Sequence, residues 1–132
     1  MAYEKAKREL NGYCKEMLYQ DAIKLKLDNL LKLDINLINE FNQAITQKDK
    51  LLEKSIQRTN FIEEKIDMVD QPYKAILFER YIERKNFEEI SDILNFSVPR
   101  IFQLYKVAHK KYDEISKVMG YLEDMNKHYT KL

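Results

Sequence analysis

The sequence predicts an all-α protein, and three observations support that prediction. The 132 residues include two glycines and two prolines, too few turn formers for an all-β fold. They are 45% hydrophobic and 34% charged, which is too apolar for a disordered chain. Apolar residues recur three and four positions apart along most of the chain, the spacing of helices with one buried face. The length suits one domain, or a small domain with a long helical extension.

The first predicted helix spans residues 3 to 17. Its apolar seam consists of Tyr3, Ala6, Leu10, Tyr13 and Met17. Gly12 lies inside this helix and costs about 1 kcal/mol relative to Ala, so the helix is kept and a kink there is allowed. Cys14, the single cysteine, lies beside the seam and is predicted to be a buried small residue. It cannot form an internal disulfide, which favours a reducing cytoplasm.

The following residues contain neither glycine nor proline as far as Gln71. A single helix over 21–69 would be roughly 73 Å long and could not bury its own apolar stripe. We expect a break at the polar residues 46–50, with Asp34 and Asn60 as weaker alternatives. Residues 1–69 are therefore predicted to be either a helical hairpin or a coiled-coil arm through which two chains dimerise.

A new segment begins at residues 70–72. Pro72 suits the first turn of a helix, which Asp70 can cap. This helix is predicted to bury Tyr73, Ile76, Leu77 and Tyr81. Asn86 and Glu89 then have the spacing of a capping box at the start of the next helix. The predicted buried residues of that helix are Phe87, Ile90, Ile93 and Leu94.

The helical period breaks at residues 95–97. Asn95 suits a helix end with positive φ, Phe96 is expected to pack into the core, and Ser97 can cap the following helix. That helix is predicted to bury Ile101, Leu104, Tyr105, Ala108 and Tyr112. Gly120 is predicted to end it. The chain is thereby divided into 1–69, 70–119 and a tail, 120–132.

Two short helices across a tight turn have the geometry of a helix-turn-helix, whose second helix enters the major groove of DNA. Ser91 and Ala108 are the small residues that let the two helices approach. Net charge is only +1, but residues 97–111 contain four basic residues and no acidic one. A local basic face is therefore expected.

The segment ILFERYIERKNFEEISDILNFSVPRIFQLYKVAHKKY resembles region 4 of bacterial sigma-70-type factors. Within that class it is most similar to ArpU/RinA-type late transcription regulators and related prophage proteins of low-GC Gram-positive bacteria. The matching features are Arg80-Tyr81, Glu88 to Ile90, Ser97, Arg100-Ile101, Gln103-Leu104 and Ala108. The resemblance covers about residues 74–112. The sequence departs from the family at Ser91, where Ala is usual, and at Val98, Pro99 and Phe102, where charged residues are common.

The resemblance implies a sequence-specific DNA-binding transcription regulator, encoded by a phage or mobile element and acting in the cytoplasm of a bacterial host cell. Its recognition helix is about 97–112. Arg100 is expected to contact guanine and Gln103 adenine. The remaining implied contacts are phosphates for Ser97, Lys106, Lys110 and Lys111, the thymine methyl group for Val98 and Pro99, and the flanking backbone for Arg84 and Lys85. A homodimer on paired half-sites is expected.

Two other classes of function stay open. The chain could be a protein-interaction module that binds RNA polymerase, another regulator or a host defence protein. It could also be a phage small terminase subunit, which forms rings.

Arg80 is expected to pair with Glu79, Glu83 or Glu88 rather than with DNA.

The sequence does not predict an enzyme. It contains no glycine-rich phosphate loop, nucleophile elbow or paired catalytic carboxylates, so we expect no catalytic residues and no cofactor. His109 and His128 have no cysteine or carboxylate at ligand spacing, and no metal site is predicted. No apolar run approaches the roughly 20 residues that span a membrane, and we expect no membrane partner.

Overall fold

The computed structural model describes the backbone of residues 3–32 and 42–130, and the side chains as far as residue 123. Over these residues the protein is all-helical, which confirms the predicted fold class. The elements are α1 (Glu4–Leu31), α2 (Asn42–Asp67), α3 (Tyr73–Leu77), a π-helical stretch (Phe78–Ile82), α4 (Phe87–Leu94) and α5 (Val98–Thr130). None of these helices is long and apolar enough to cross a membrane.

The chain forms two compact units. One is Gly12–Phe61, and the other combines Met1–Asn11 with Ile62–Leu132. Packing alone defines these units, so the division into functional segments at residues 69 and 119 stays a prediction.

In the Gly12–Phe61 unit, α1 and α2 pack against each other within one chain. The Glu16 carboxylate accepts hydrogen bonds from Arg58 Nε at 2.9 Å and Nη2 at 3.1 Å, and a further one from the Ser55 hydroxyl. Gln20 Nε2 donates to the Thr59 hydroxyl at 3.0 Å. The Arg58 guanidinium holds the pKa of the Glu16 carboxyl below its usual range. Of the two arrangements predicted for the N-terminal helices, the intramolecular one is therefore present.

The predicted helix break at residues 46–50 is wrong, because α2 runs through it without interruption. The Thr46 hydroxyl donates to the Asn42 carbonyl one turn earlier, at 3.0 Å. Most side chains of this stretch are exposed, where polar residues cost a helix little. Asn60 also lies within α2, and Asp34 falls outside the described residues.

The sequence predicted that the Asp70 side chain caps the start of α3. This prediction is wrong. Gln71 Oε1 accepts instead from the Ala75 amide at 3.1 Å, and the Asp70 carboxylate pairs with Lys111 Nζ at 3.3 Å. After Leu77 the helix widens into the π-helical stretch, which ends with the Glu83 amide donating to the Phe78 carbonyl. The predicted burial of Ile76, Leu77 and Tyr81 is confirmed.

One hydrophobic core joins α3, α4 and α5. Its buried members are Ile76, Ile90, Ile101 and Leu104, and the partly buried side chains around them are Tyr73, Phe87, Leu94, Phe96 and Tyr105. Ala108 and Tyr112 are also fully buried, as predicted. Ile93 is not: its side chain is 46% exposed, because a two-turn helix buries only a narrow stripe.

The last helix is longer than the sequence predicted. α5 continues through Gly120 to Thr130, so the predicted stop at Gly120 is wrong. One glycine costs a helix only about 1 kcal/mol, which the rest of α5 offsets. Cys14 is partly rather than fully buried.

Asn95 ends α4 in the left-handed conformation, with φ 59° and ψ 36°. A β-carbon without a polar group is disfavoured there by about 1–2 kcal/mol, and glycine is not. We therefore expect the free energy of unfolding of Asn95→Ala to be about 1 kcal/mol lower than that of Asn95→Gly. Urea unfolding measures this difference, and Asn95→Ala should unfold at the lower urea concentration. Equal stability of the two variants would contradict the left-handed turn.

Candidate nucleic-acid interface

The candidate interface begins at α4, which starts with the predicted capping box. The Asn86 side chain accepts from the Glu89 amide at 2.8 Å, and the Asn86 amide donates to Glu89 Oε1 at 3.3 Å. Glu88 and Glu89 also place negative charge in the first turn, where the helix dipole favours it. The start of α4 is therefore fixed by local chemistry that the sequence shows directly.

The turn between α4 and α5 is fixed from both sides. The Ser91 hydroxyl donates to the Phe96 carbonyl at 2.5 Å, and the Phe96 ring packs against the core. On the other side of the turn, Ser97 Oγ accepts from the Arg100 amide at 3.3 Å and caps α5, as predicted. These contacts set the direction in which α5 leaves the turn.

The outer face of α5 carries four of the predicted site residues in one stripe. Pro99, Gln103, Lys106 and Lys110 are all exposed and lie four, three and four residues apart. This stripe is opposite the buried side of the helix, which consists of Ile101, Leu104, Ala108 and Tyr112. Arg100 is exposed beside it, and its Nη1 donates to Gln103 Oε1 at 3.1 Å.

Other predicted site residues lie elsewhere. Lys111 is directed towards the start of α3. It pairs with Asp70, which precedes that helix, and its Nζ lies 5.1 Å from the centre of the Tyr73 ring. Val98 is partly buried in the first turn of α5. Arg84 is exposed with φ 61°, and Lys85 is partly buried; both lie in the loop before α4.

An aromatic stack that the sequence did not reveal adjoins the outer face. The Phe87 and Phe102 rings have centres 4.4 Å apart, and the Arg80 guanidinium lies over Phe87 at 4.5 Å. Arg80 Nη1 donates to the Lys85 carbonyl at 3.1 Å, in place of the carboxylate pairing that the sequence predicted. The sequence indicated this arrangement only by an aromatic residue on each side of the turn, Phe87 in α4 and Phe102 in α5.

A hydrogen-bonded cluster lies behind the interface. The Tyr81 hydroxyl is 2.6 Å from both the Tyr105 hydroxyl and His109 Nε2. His109 is 1% exposed, and its Nδ1 has no partner among the described residues. Burial lowers the pKa of His109 to about 4, helped by the positive charge of Lys7. The same burial, with the hydrogen bond to Tyr105, raises the pKa of Tyr81.

The outer face of α5 thus offers flexible cations, one guanidinium and one amide, which are groups that bind phosphates and the edges of bases. The described side chains include no group of three His, Cys, Asp or Glu residues that could hold a metal ion. A scan against family models, a search of curated proteins and a search of solved structures each found no match for this chain.

Proposed function

We propose that the chain is a sequence-specific DNA-binding transcription regulator and that α4, the turn and α5 act as its helix-turn-helix. The main support is the outer face of α5. Its exposed side chains include Arg100, Lys106 and Lys110, and residues 97–111 contain no acidic residue. A rigid helix that presents cations on the side away from its core suits the major groove.

Each group on this face has a role in the proposal. Arg100 and Gln103 hydrogen-bond to each other, so they would approach neighbouring bases as a pair, Arg100 at guanine and Gln103 at adenine. Lys106 and Lys110 would bind phosphates further along the helix. Ser97 marks the N-terminus of α5, where the helix dipole favours a phosphate. Lys111 is assigned to packing against α3 because of its contacts with Asp70 and Tyr73.

The regulator is proposed to bind as a homodimer on paired half-sites. Net charge is +1, and a single α5 supplies few phosphate contacts, so two copies would be needed for tight binding. The similarity to sigma region 4 supports a phage or mobile-element regulator in a bacterial cytoplasm. A small terminase subunit would instead form rings, and a mass of eight or more copies in solution would favour that alternative.

The decisive experiment compares duplex DNA binding of wild type and an Arg100→Ala/Gln103→Ala variant by fluorescence polarisation. We expect the variant to bind at least about tenfold more weakly, since each good base contact contributes about 1–3 kcal/mol. We expect wild-type affinity to fall steeply between low and moderate salt. Lys26→Ala/Gln57→Ala, which changes exposed side chains of α1 and α2, is the matched control and should bind as wild type does.

A protein-interaction module is the second candidate. The exposed apolar side chains Ile93, Phe102 and Val107 on α4 and α5 favour it. Equal DNA binding by wild type and the Arg100/Gln103 variant, or none by either, would favour this candidate and reject the DNA-reading role of α5.

A further inference from the structure

Phe102 is an exposed aromatic residue in the first half of α5, beside the stripe of Pro99, Gln103 and Lys106. It lies three residues after Pro99 and four before Lys106, so it neighbours both on the helix surface. Its side chain is 44% exposed. Nearly half of the side chain is therefore open to a ligand on this side of α5.

The ring is held in place from below. Phe87 contacts it at 4.4 Å between ring centres, and Tyr105 meets Phe87 edge to face at 5.0 Å. The Arg80 guanidinium covers Phe87 and is itself fixed by the Lys85 carbonyl. Since its neighbours restrict the Phe102 ring, little conformational entropy is lost when a ligand meets its exposed edge.

We propose that Phe102 is a specificity-determining residue that reads the 5-methyl group of thymine in the major groove. This inference rests on the proposed DNA-binding function. The thymine methyl is the apolar group that base edges present in that groove, and phenyl rings are among the side chains that contact it. At 100° per residue, Arg100 and Phe102 flank the stripe of Pro99, Gln103 and Lys106 on its two sides. Hydrogen-bonded recognition would therefore fall on one side of this face and apolar recognition on the other.

The test replaces thymine by deoxyuridine, which removes the methyl group and leaves base pairing unchanged. The probe is the duplex that the full wild-type chain enriches from a randomised DNA pool. Each thymine of that duplex is replaced in turn, and affinity is measured by fluorescence polarisation. We expect at least one replacement to weaken wild-type binding about fourfold, the effect of one buried methyl group.

Phe102→Gln should bind the thymine and deoxyuridine duplexes equally, with the same salt dependence as wild type. Phe102→Leu, which keeps an apolar side chain, should retain part of the preference. Ile93→Gln is the matched control: it changes an equally exposed apolar residue on α4 and should keep the full preference. Circular dichroism at 222 nm confirms that each variant is folded.

The possible outcomes separate the two proposals. If no duplex is enriched from the pool, sequence-specific DNA binding itself fails. If a duplex is enriched but wild type shows no deoxyuridine effect, the role of Phe102 fails while the DNA-binding function stands. Retention of the full methyl preference by folded Phe102→Gln would equally overturn it, and loss of the preference in that variant alone would support it.

Discussion

Replacing Glu9 by alanine is expected to destabilise the protein by about 3 kcal/mol, the largest effect we expect of a change outside the hydrophobic core. Glu9 accepts hydrogen bonds from Lys65 Nζ and from the Tyr112 hydroxyl. Lys65 is only 2% exposed, and it also donates to Ser116 Oγ at 3.2 Å and lies over the Tyr112 ring. Without Glu9 the buried ammonium group loses a carboxylate partner, and the Tyr112 hydroxyl loses its acceptor. Urea unfolding followed by circular dichroism measures the loss.

A second variant shows whether the loss of the Glu9–Lys65 ion pair is the cause. Glu9→Leu/Lys65→Met removes both charges, and we expect it to be markedly more stable than Glu9→Ala, because apolar pairs often replace buried ion pairs without loss. Lys117→Ala serves as the control. It breaks a pair with Asp113 whose lysine is 77% exposed, and it should cost less than about 1 kcal/mol. A Glu9→Ala protein within 1 kcal/mol of wild type would show that this ion pair, whose lysine is buried and whose glutamate is partly exposed, contributes little to stability.

The second large effect is a loss of stability in mild acid. The pKa of His109 is lowered from 6.5 to about 4 in the folded protein. Between these two values the unfolded chain binds a proton that the folded chain does not, so falling pH favours unfolding. The contribution of His109 is present above pH 6.5, is lost progressively as the pH falls, and changes no further below about 4. From pH 7 to pH 5 we expect a decrease of about 2 kcal/mol in the free energy of unfolding.

The physical cause lies in what surrounds the ring. Tyr81 and Tyr105 are neutral hydroxyls, and the nearby charge of Lys7 opposes a second positive charge. His109→Gln removes the titrating group and keeps a polar side chain next to Tyr81. The urea midpoints of both proteins are compared at pH 7 and pH 5. Both proteins have the same carboxylates, so the difference between them isolates the contribution of His109. A decrease of the same size in His109→Gln would assign the acid sensitivity to other groups.

Structure set by neighbouring residues in the chain was predictable from the sequence. The capping box of Asn86 and Glu89, the left-handed Asn95 and the cap at Ser97 each depend on chemistry within three or four residues. The same holds for the outer stripe of α5, since helical periodicity alone places Gln103 and Lys106 opposite Ile101. The elements that hold the candidate interface were therefore correctly located.

Features that depend on distant contacts were not predictable. Polar residues at 46–50 indicated a break, yet a polar exposed face is compatible with a continuous helix. Helical periodicity predicted which side of α4 is buried but not how wide the buried stripe is, so Ile93 was wrongly predicted to be buried. Nothing local marks Lys65 as buried, because its partner Glu9 lies 56 residues away in the chain. The stack of Arg80, Phe87 and Phe102 likewise forms only once α4 and α5 cross.

Because α5 is one unbroken helix, the directions of its side chains about the helix axis are related along its whole length. The helix has 33 residues, and at 1.5 Å per residue it is about 50 Å long. Eighteen residues make five complete turns, so Lys117 projects in the same direction as Pro99, about 27 Å further along the axis. A partner bound along the second half of α5 would therefore lie at a fixed angle, about the helix axis, to the outer face near Arg100. One residue inserted between Arg100 and Lys117 would rotate that angle by about 100°.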